Sequence, residues 1–213
     1  MEDTQFSNEI IIIGSGGLAR EIVSWKNISG EKINIIGCMD DFYDSRTKNS
    51  KELNVIGKID LKSFSENQFA LCAIADCDRK QSLFEEASSS GKKFLSYIHS
   101  TCLIGERTII GEGLVILPYA LISCDAEIGD LVFINNGSQI GHNVKIGNYT
   151  SIMANVDIGG GAEIGNNVFI GSNAVILPSV KIPDNTRIGA GTVVLRSIKQ
   201  TGTYFGNPSK KIF

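Results

Sequence analysis

From residue 98 onward one apolar pattern repeats without a break. Isoleucine occupies positions 98, 104, 110, 116, 122, 128, 134, 140, 146, 152, 158, 164, 170, 176, 182 and 188, and Val194 continues the series. Sixteen isoleucines at a spacing of six lie far outside chance and mark a repeat architecture. Two residues before the isoleucine sits a small or β-branched residue, as at Ala120, Ser138, Val144, Thr150, Ala162 and Ala174. Side chains two apart on a strand share a face, so one large and one small side chain point inward. Glycine often follows the isoleucine, as at Gly129, Gly141, Gly159 and Gly171, and its tolerance of positive φ suits a corner. Short strand, corner, short strand predicts a β-solenoid.

The pattern over residues 1–97 is different. "EIIIIG" reads as a short buried strand running into the turn "GSGG". "LAREIVSWKN" has helical spacing, with Leu18, Ile22 and Trp25 on one side. "INIIGCMDD" and "FALCAIAD" read as further strands, a helix follows from about Arg79 to Ser89, and "KFLSYI" reads as a last strand. Strands alternating with helices predict a small, Rossmann-like parallel sheet. The expected organisation is an α/β domain over 1–97 and an all-β solenoid over 98–213.

Composition narrows the function classes. With 213 residues, 42% of them hydrophobic, the chain can bury a sizeable core. A net charge of -3 gives no general attraction to polyanions, which argues against a nucleic-acid partner. No all-apolar run, Ile10–Ile13 included, is long enough to span a membrane. The acidic, polar start "MEDTQFSNE" is unlike a signal peptide. Five scattered cysteines without a CxxC pair suggest reduced thiols in a cytoplasmic protein. Only two histidines are present, His99 and His142, 43 positions apart, which argues against a three-histidine zinc site and for no metal.

The ladder resembles the hexapeptide-repeat acyltransferases, whose solenoid is a left-handed triangular β-helix. The whole chain is similar to one branch of that family, the bacterial nucleotide-sugar acetyltransferases. That branch includes UDP-4-amino-sugar N-acetyltransferases and sialic-acid O-acetyltransferases. The landmarks are "GSGGLAREI", "CMDD", "AIADCDRK", "YIHSTCLIG", "INNGSQIGHNVKIG" and the terminal "GNPSKK". The resemblance implies three hexads per coil, so residues 18 apart stack. Seventeen hexads then make between five and six coils, a prism roughly 27 Å tall at ~4.8 Å per strand spacing.

Most of the candidate site residues follow from this resemblance. His142 matches the general base, a role suited to an imidazole near neutral pH. The acidic residue that commonly follows it is Asn143 here, whose amide oxygen can fix the tautomer but adds no charge. Asn135 matches a substrate-side asparagine. Stacking by 18 places Gly160, in the run Gly159–Gly161, over His142, where its N–H is the expected oxyanion donor. Acetyl-CoA, the co-substrate, is expected past Ser151, Ser172 and Ala190, with Lys210 and Lys211 either meeting its phosphates or lying in a solvated tail. Ser151 replaces a family histidine near the thioester.

In the amino-terminal half, Gly14, Gly16 and Ala19 fit G-x-G-x-x-A, a turn that aims backbone N–H groups at a phosphate, although a plain tight turn has the same pattern. The family positions for the nucleotide are Gly16, Gly17 and Leu18 in the turn, Asp40 and Asp41 after the second strand, and Ala75 and Asp76 after the third. His99 reads as structural. The implied reaction is acetyl transfer to the amine of a nucleotide-linked, UDP-type 4-amino-deoxy sugar for surface-glycan biosynthesis. O-acetylation of a sialic-acid-type sugar and a non-catalytic nucleotide-binding scaffold are the alternatives. Asn135 and His142 fall on successive corners, very roughly 15–20 Å apart for a six-residue side. A site using both needs neighbouring subunits, and the family forms homotrimers.

Overall fold

A computed structural model describes residues 8–42 and 53–213. The amino-terminal domain contains β1 (Glu9–Ile13), α1 (Gly17–Ser29), β2 (Ile35–Met39), β3 (Val55–Gly57), β4 (Gln68–Cys72) and α2 (Cys77–Ser89). The strands form one parallel sheet in the order β3-β2-β1-β4. β1 is central and packed on both faces, which is why its isoleucines run consecutively instead of alternating. α1 stops at Gly30, whose left-handed conformation returns its N–H to the Lys26 carbonyl. α2 is capped by Asp76, whose side chain accepts from the Arg79 N–H at 2.8 Å.

Two features of this domain differ from the sequence reading. β3 is only three residues long and shows no alternation from which to read it. "KFLSYI" is not a strand of this sheet. Phe94 makes a single bridge to Ala70, and Tyr97–Ile98 pairs instead with Val115–Ile116 as the first rung of the solenoid.

The solenoid consists of seventeen two-residue rungs, from Tyr97–Ile98 to Val193–Val194. All but the last three pair in parallel with the rung eighteen residues on, as Gln139–Ile140 does with Asp157–Ile158. The rungs form three sheets, the faces of a triangular prism. The isoleucines point inward with the small residues between them, in one continuous core. At about 1.5–3 kcal/mol per buried aliphatic side chain, this ladder is the chief source of solenoid stability. At two coils the small inward residue is polar and satisfied from the next coil. The Ser138 hydroxyl donates to the Met153 carbonyl and accepts from the Val156 N–H, and Thr150 does the same with Gly165 and Val168.

The corners correct one expectation. The glycines that follow the isoleucines are not in the left-handed region; that conformation falls two residues later, at Asp125, Asn143, Gly161 and Ser179 along one corner. Gly141 is needed for another reason: a Cβ there would lie 2.6 Å from the Gly160 nitrogen of the next coil. The glycines permit close stacking of coils, and asparagine is the commonest residue in the left-handed turns.

The three faces have different outer surfaces. The first is covered by the amino-terminal domain, which buries Tyr97, Val115, Phe133 and Ser151. The third presents Glu127, Lys145, Glu163 and Lys181 in a column, ion-paired at 2.8 and 2.9 Å. The second presents Leu103, Leu121, Gln139, Asp157, Val175 and Val193. Among the described residues no helix is long and apolar enough to cross a membrane.

Candidate active site

His142 stands on the corner between the second and third faces, exposed, in a column with Cys124 below and Gly160 above. Two contacts orient its ring. Nδ1 lies 2.9 Å from Asn143 Oδ1. An amide oxygen accepts, so Nδ1 carries the proton and Nε2 keeps its lone pair. The ring also lies against Gly160, where a Cβ would come within 2.6 Å of Nε2 and 2.8 Å of Cε1. Glycine at 160 is therefore a requirement of the imidazole's position. Asn143 has φ 58, a conformation asparagine tolerates well, so one residue makes the turn and holds the base.

The backbone beside the imidazole is open. At the corner between the third and first faces, each coil's N–H is capped by a side chain from the next: Asp130 by Asn148, Asn148 by Asn166, and Asn166 by Asp184. At the His142 corner the residue over Gly160 is Pro178, which has no side chain capable of this. Among the described residues no group accepts from the Gly160 N–H, whereas the Gly161 N–H is used by the His142 carbonyl at 2.8 Å. A lone pair and an unused donor thus sit together at the surface.

Below this pair lies a feature absent from the sequence reading. Arg107 Nε and Nη2 donate to the two oxygens of Asp125, at 2.6 and 2.9 Å. Asp125 is one coil beneath Asn143, and the Arg107 guanidinium holds its carboxyl below the usual range. Counting back eighteen from Asn143 locates it.

The other solenoid candidates are divided. Asn135 is half-buried at the corner between the first and second faces, its Oδ1 accepting from the Asn136 N–H at 2.7 Å. Ser172, half-buried, and Ala190, exposed, follow the same corner upward. The second face separates this group from His142. Ser151 belongs to neither corner: it is fully buried on the first face and donates to the Ala75 carbonyl at 2.7 Å. Its hydroxyl joins the domains and is closed to a thioester. Lys210 and Lys211 are exposed, on a terminal strand pairing with Tyr204 and Phe205. His99 is buried, with Nδ1 2.9 Å from Thr101 Oγ1.

A second site lies at the carboxyl end of the parallel sheet, the usual ligand position in such folds. A cavity of about 490 Å³ is bounded by Gly14, Gly16, Asp40, Asp41, Phe42, Ile59, Ala73, Ile74, Asp76 and Arg79. Gly17 and Leu18 lie just beyond Gly16 in the first turn of α1, and Ala75 is half-buried beside Asp76. The carboxylates have separate tasks. Asp40 Oδ2 accepts from the Ser15 N–H and hydroxyl at 2.8 and 2.7 Å, and Oδ1 from the Phe42 N–H. Asp40 thereby braces the glycine turn. Asp76 caps α2, and Asp41 faces Arg79 at 2.8 Å. Arg79, at the cavity wall, is a residue the sequence reading did not single out.

The segment that closes this cavity also docks the domain on the solenoid. Lys80 is 1% exposed and donates to the carbonyls of Leu131 and Thr150, both at 2.9 Å. Burial pushes its ammonium down to about 8. The Cys77 thiol donates to the Val168 carbonyl, and Asn167 donates to Asp78. Residues 75–80 therefore join the cavity wall to the first face of the solenoid.

Residues 9–87 match the PglD N-terminal domain, and residues 161–196 match the bacterial transferase hexapeptide (six repeats). The acetyltransferase domain of PglB from Neisseria gonorrhoeae FA1090, solved with acetyl coenzyme A, superposes with a TM-score of 0.87 at 25% identity over 97% of this chain and 100% of that one. PerB from Caulobacter crescentus, solved with CoA and GDP-perosamine, has a TM-score of 0.78 at 25% identity over 95% of this chain and 96% of its own. WeeI from Acinetobacter baumannii AYE shares the fold, with a TM-score of 0.63 at 19% identity over 95% of this chain and 99% of its own. The chain therefore carries a PglD-type N-terminal domain followed by a hexapeptide-repeat transferase domain with the left-handed β-helix fold, in the arrangement of both ligand-bound enzymes it superposes on over nearly its full length.

Proposed function

We propose that this protein transfers the acetyl group of acetyl-CoA to the amino group of a nucleotide-linked 4-amino-deoxy sugar, with His142 as general base. The observation that carries the reading is the pairing at one corner of an imidazole with a bare Nε2 and an uncapped Gly160 N–H. The sugar amine attacks the thioester carbonyl carbon, and a C–N bond forms. Nε2 takes the proton that the nitrogen loses. The carbonyl oxygen becomes an oxyanion beside the Gly160 N–H, which donates to it. Collapse breaks the C–S bond, and the imidazolium returns its proton to the departing CoA thiolate. Asn143 holds the Nδ1–H throughout.

The cavity of the amino-terminal domain is the proposed seat of the nucleotide, UDP by our reading, with the glycine turn and the start of α1 facing the phosphates. The bound GDP-perosamine of PerB supports a nucleotide-linked amino sugar as acceptor, and the ligands of PglB and PerB support CoA as carrier. Ser172 and Ala190 are the proposed wall of the CoA groove, and Lys210 and Lys211 its phosphate contacts. The product is the kind of sugar that surface-glycan assembly consumes, and a cytoplasmic location follows from the need for acetyl-CoA.

We further propose that the site is shared between copies in a homotrimer. The half-sites of Asn135 and His142 stand at opposite edges of the second face. The first face is covered and the third neutralises its own charges, which leaves the second, with its outward leucines and valines, to face other copies. Three second faces around an axis bring one copy's Asn135 edge to the next copy's His142 edge. The deciding experiment is thiol release from acetyl-CoA against a panel of nucleotide-linked amino sugars. His142→Ala is expected to lower kcat by ~10²–10⁴-fold. A loss of only a few-fold would remove His142 from this role.

A further inference from the structure

We infer that Tyr119 of each copy seats its ring on the Arg107–Asp125 ion pair of its neighbour, forming the floor beneath the neighbour's His142. This rests on the shared-site reading and specifies the contact that holds the shared site together.

Tyr119 is unusual for its position. Its corner column continues through Gly137, Asn155, Asn173 and Gly191, all residue types suited to the left-handed region. Tyr119 occupies that region with φ 63, rare for a bulky side chain. Of the other bulky residues in such corners, Leu131 and Tyr149 are covered by the amino-terminal domain, Leu131 to 1% exposure and Tyr149 against Phe84 at 5.7 Å, and Arg107 is tied to Asp125. Tyr119 is 73% exposed. Its backbone is nevertheless held in place: its N–H donates to Thr101 Oγ1 at 2.9 Å, and Thr101 is itself bonded to buried His99. A costly conformation, fixed from behind, presents an aromatic ring to the outside.

The matching surface is on the same molecule at the other edge of the second face. Arg107 and Asp125 form a two-point pair, with the Arg107 side chain 64% exposed. A guanidinium held flat by a carboxylate is a platform for an aromatic face. Register then decides the pairing. A rotation about an axis parallel to the prism leaves height unchanged. If it brings Asn135 opposite His142, it brings Tyr119, eighteen before Gly137, opposite Asp125, eighteen before Asn143. The two contacts come from one operation. Exposed Leu121 and Leu103, on the face beside Tyr119, extend the contact with apolar surface.

The test is subunit exchange between differently tagged assemblies of the full chain, followed by native mass spectrometry, for wild type, Tyr119→Ala, Arg107→Ala and the double variant. Each single change is expected to speed exchange by at least ~5-fold, with the double no more than ~2-fold beyond the faster single, because both remove one contact. Tyr119→Phe keeps the ring and should exchange at the wild-type rate. Exchange unaltered by Tyr119→Ala, or single effects that multiply, would overturn the inference while leaving the shared site intact. A wild-type protein that is monomeric at full activity overturns the shared site itself. Circular dichroism at each step confirms that the variants are folded; a variant that unfolds is replaced by Tyr119→Gly, which suits the left-handed corner and must give the same exchange phenotype.

Discussion

The imidazole of His142 lies flat against Gly160, so closely that a single methyl group on Gly160 would reach within 2.6 Å of Nε2. Gly160→Ala must displace the ring, since the coil beneath is fixed by the 2.8 Å bond from the Gly161 N–H to the His142 carbonyl. A displacement near 1 Å at a reacting group costs on the order of 100-fold. Steady-state kinetics should show kcat falling by that factor with the KM for the nucleotide sugar little changed. An alanine variant with wild-type kcat would show that the ring position is unimportant.

Asn143 performs two tasks that substitution can separate. Asn143→Ala removes the acceptor for Nδ1–H and places a Cβ-bearing residue at φ 58 without a local hydrogen-bonding group. We expect a loss of ~1 kcal/mol in stability and a clear fall in kcat. Asn143→Asp keeps the acceptor and tolerates the corner, so activity should match or exceed wild type. Thermal unfolding alongside initial rates distinguishes the two effects.

Under the proposed function, Asp40 acts on the nucleotide by bracing the glycine turn through Ser15. Asp40→Ala leaves the Ser15 N–H and hydroxyl without their acceptor and loosens the turn. The KM for the nucleotide sugar should rise at least ~10-fold, the consequence of leaving buried donors unpaired, while the KM for acetyl-CoA stays within two-fold of wild type. Equal changes in both would indicate general unfolding of the domain.

Lys80 links stability to alkaline pH. Its folded value is about 8 against 10.5 for an ordinary lysine, so between these the unfolded chain binds more protons than the folded one. Stability attributable to Lys80 therefore rises as pH goes from about 8 to 10.5, by up to ~3 kcal/mol for a displacement of that size. Urea unfolding of wild type and Lys80→Met across this range should show the wild type gaining relative to the variant. A difference independent of pH would mean that burial leaves the Lys80 ammonium with the proton affinity of an ordinary lysine.

A shared site predicts complementation. His142→Ala and Asn135→Ala proteins, each weakly active, should regain activity when unfolded together and refolded as a mixture. Random assembly restores about a quarter of the interfaces to wild-type pairing. No recovery, with mixed trimers verified, would place both residues in one chain's site.

The ladder was legible because burial imposes a strict rule: one large and one small inward residue in every six, repeated by every coil. The role of glycine after each isoleucine was not, because coil-to-coil distance, and not a local dihedral angle, selects it. The glycine turn and Asp40–Asp41 were also visible, but not that Asp40 faces Ser15 while Asp41 faces Arg79, since two adjacent carboxylates look alike on paper. Lys80 carries no sign of burial in the sequence; it is buried because the solenoid brings the Leu131 and Thr150 carbonyls to it.

By itself the sequence determined the period, the inward residues, the two-part organisation and the position of the imidazole. These follow from rules that act over a few neighbouring residues. The tertiary structure alone decided that Arg107 pairs with Asp125, which face the amino-terminal domain covers, and that Ser151 lies beneath it. Those outcomes depend on how whole coils and a separate domain pack, and packing joins residues whose distance along the chain carries no local signal.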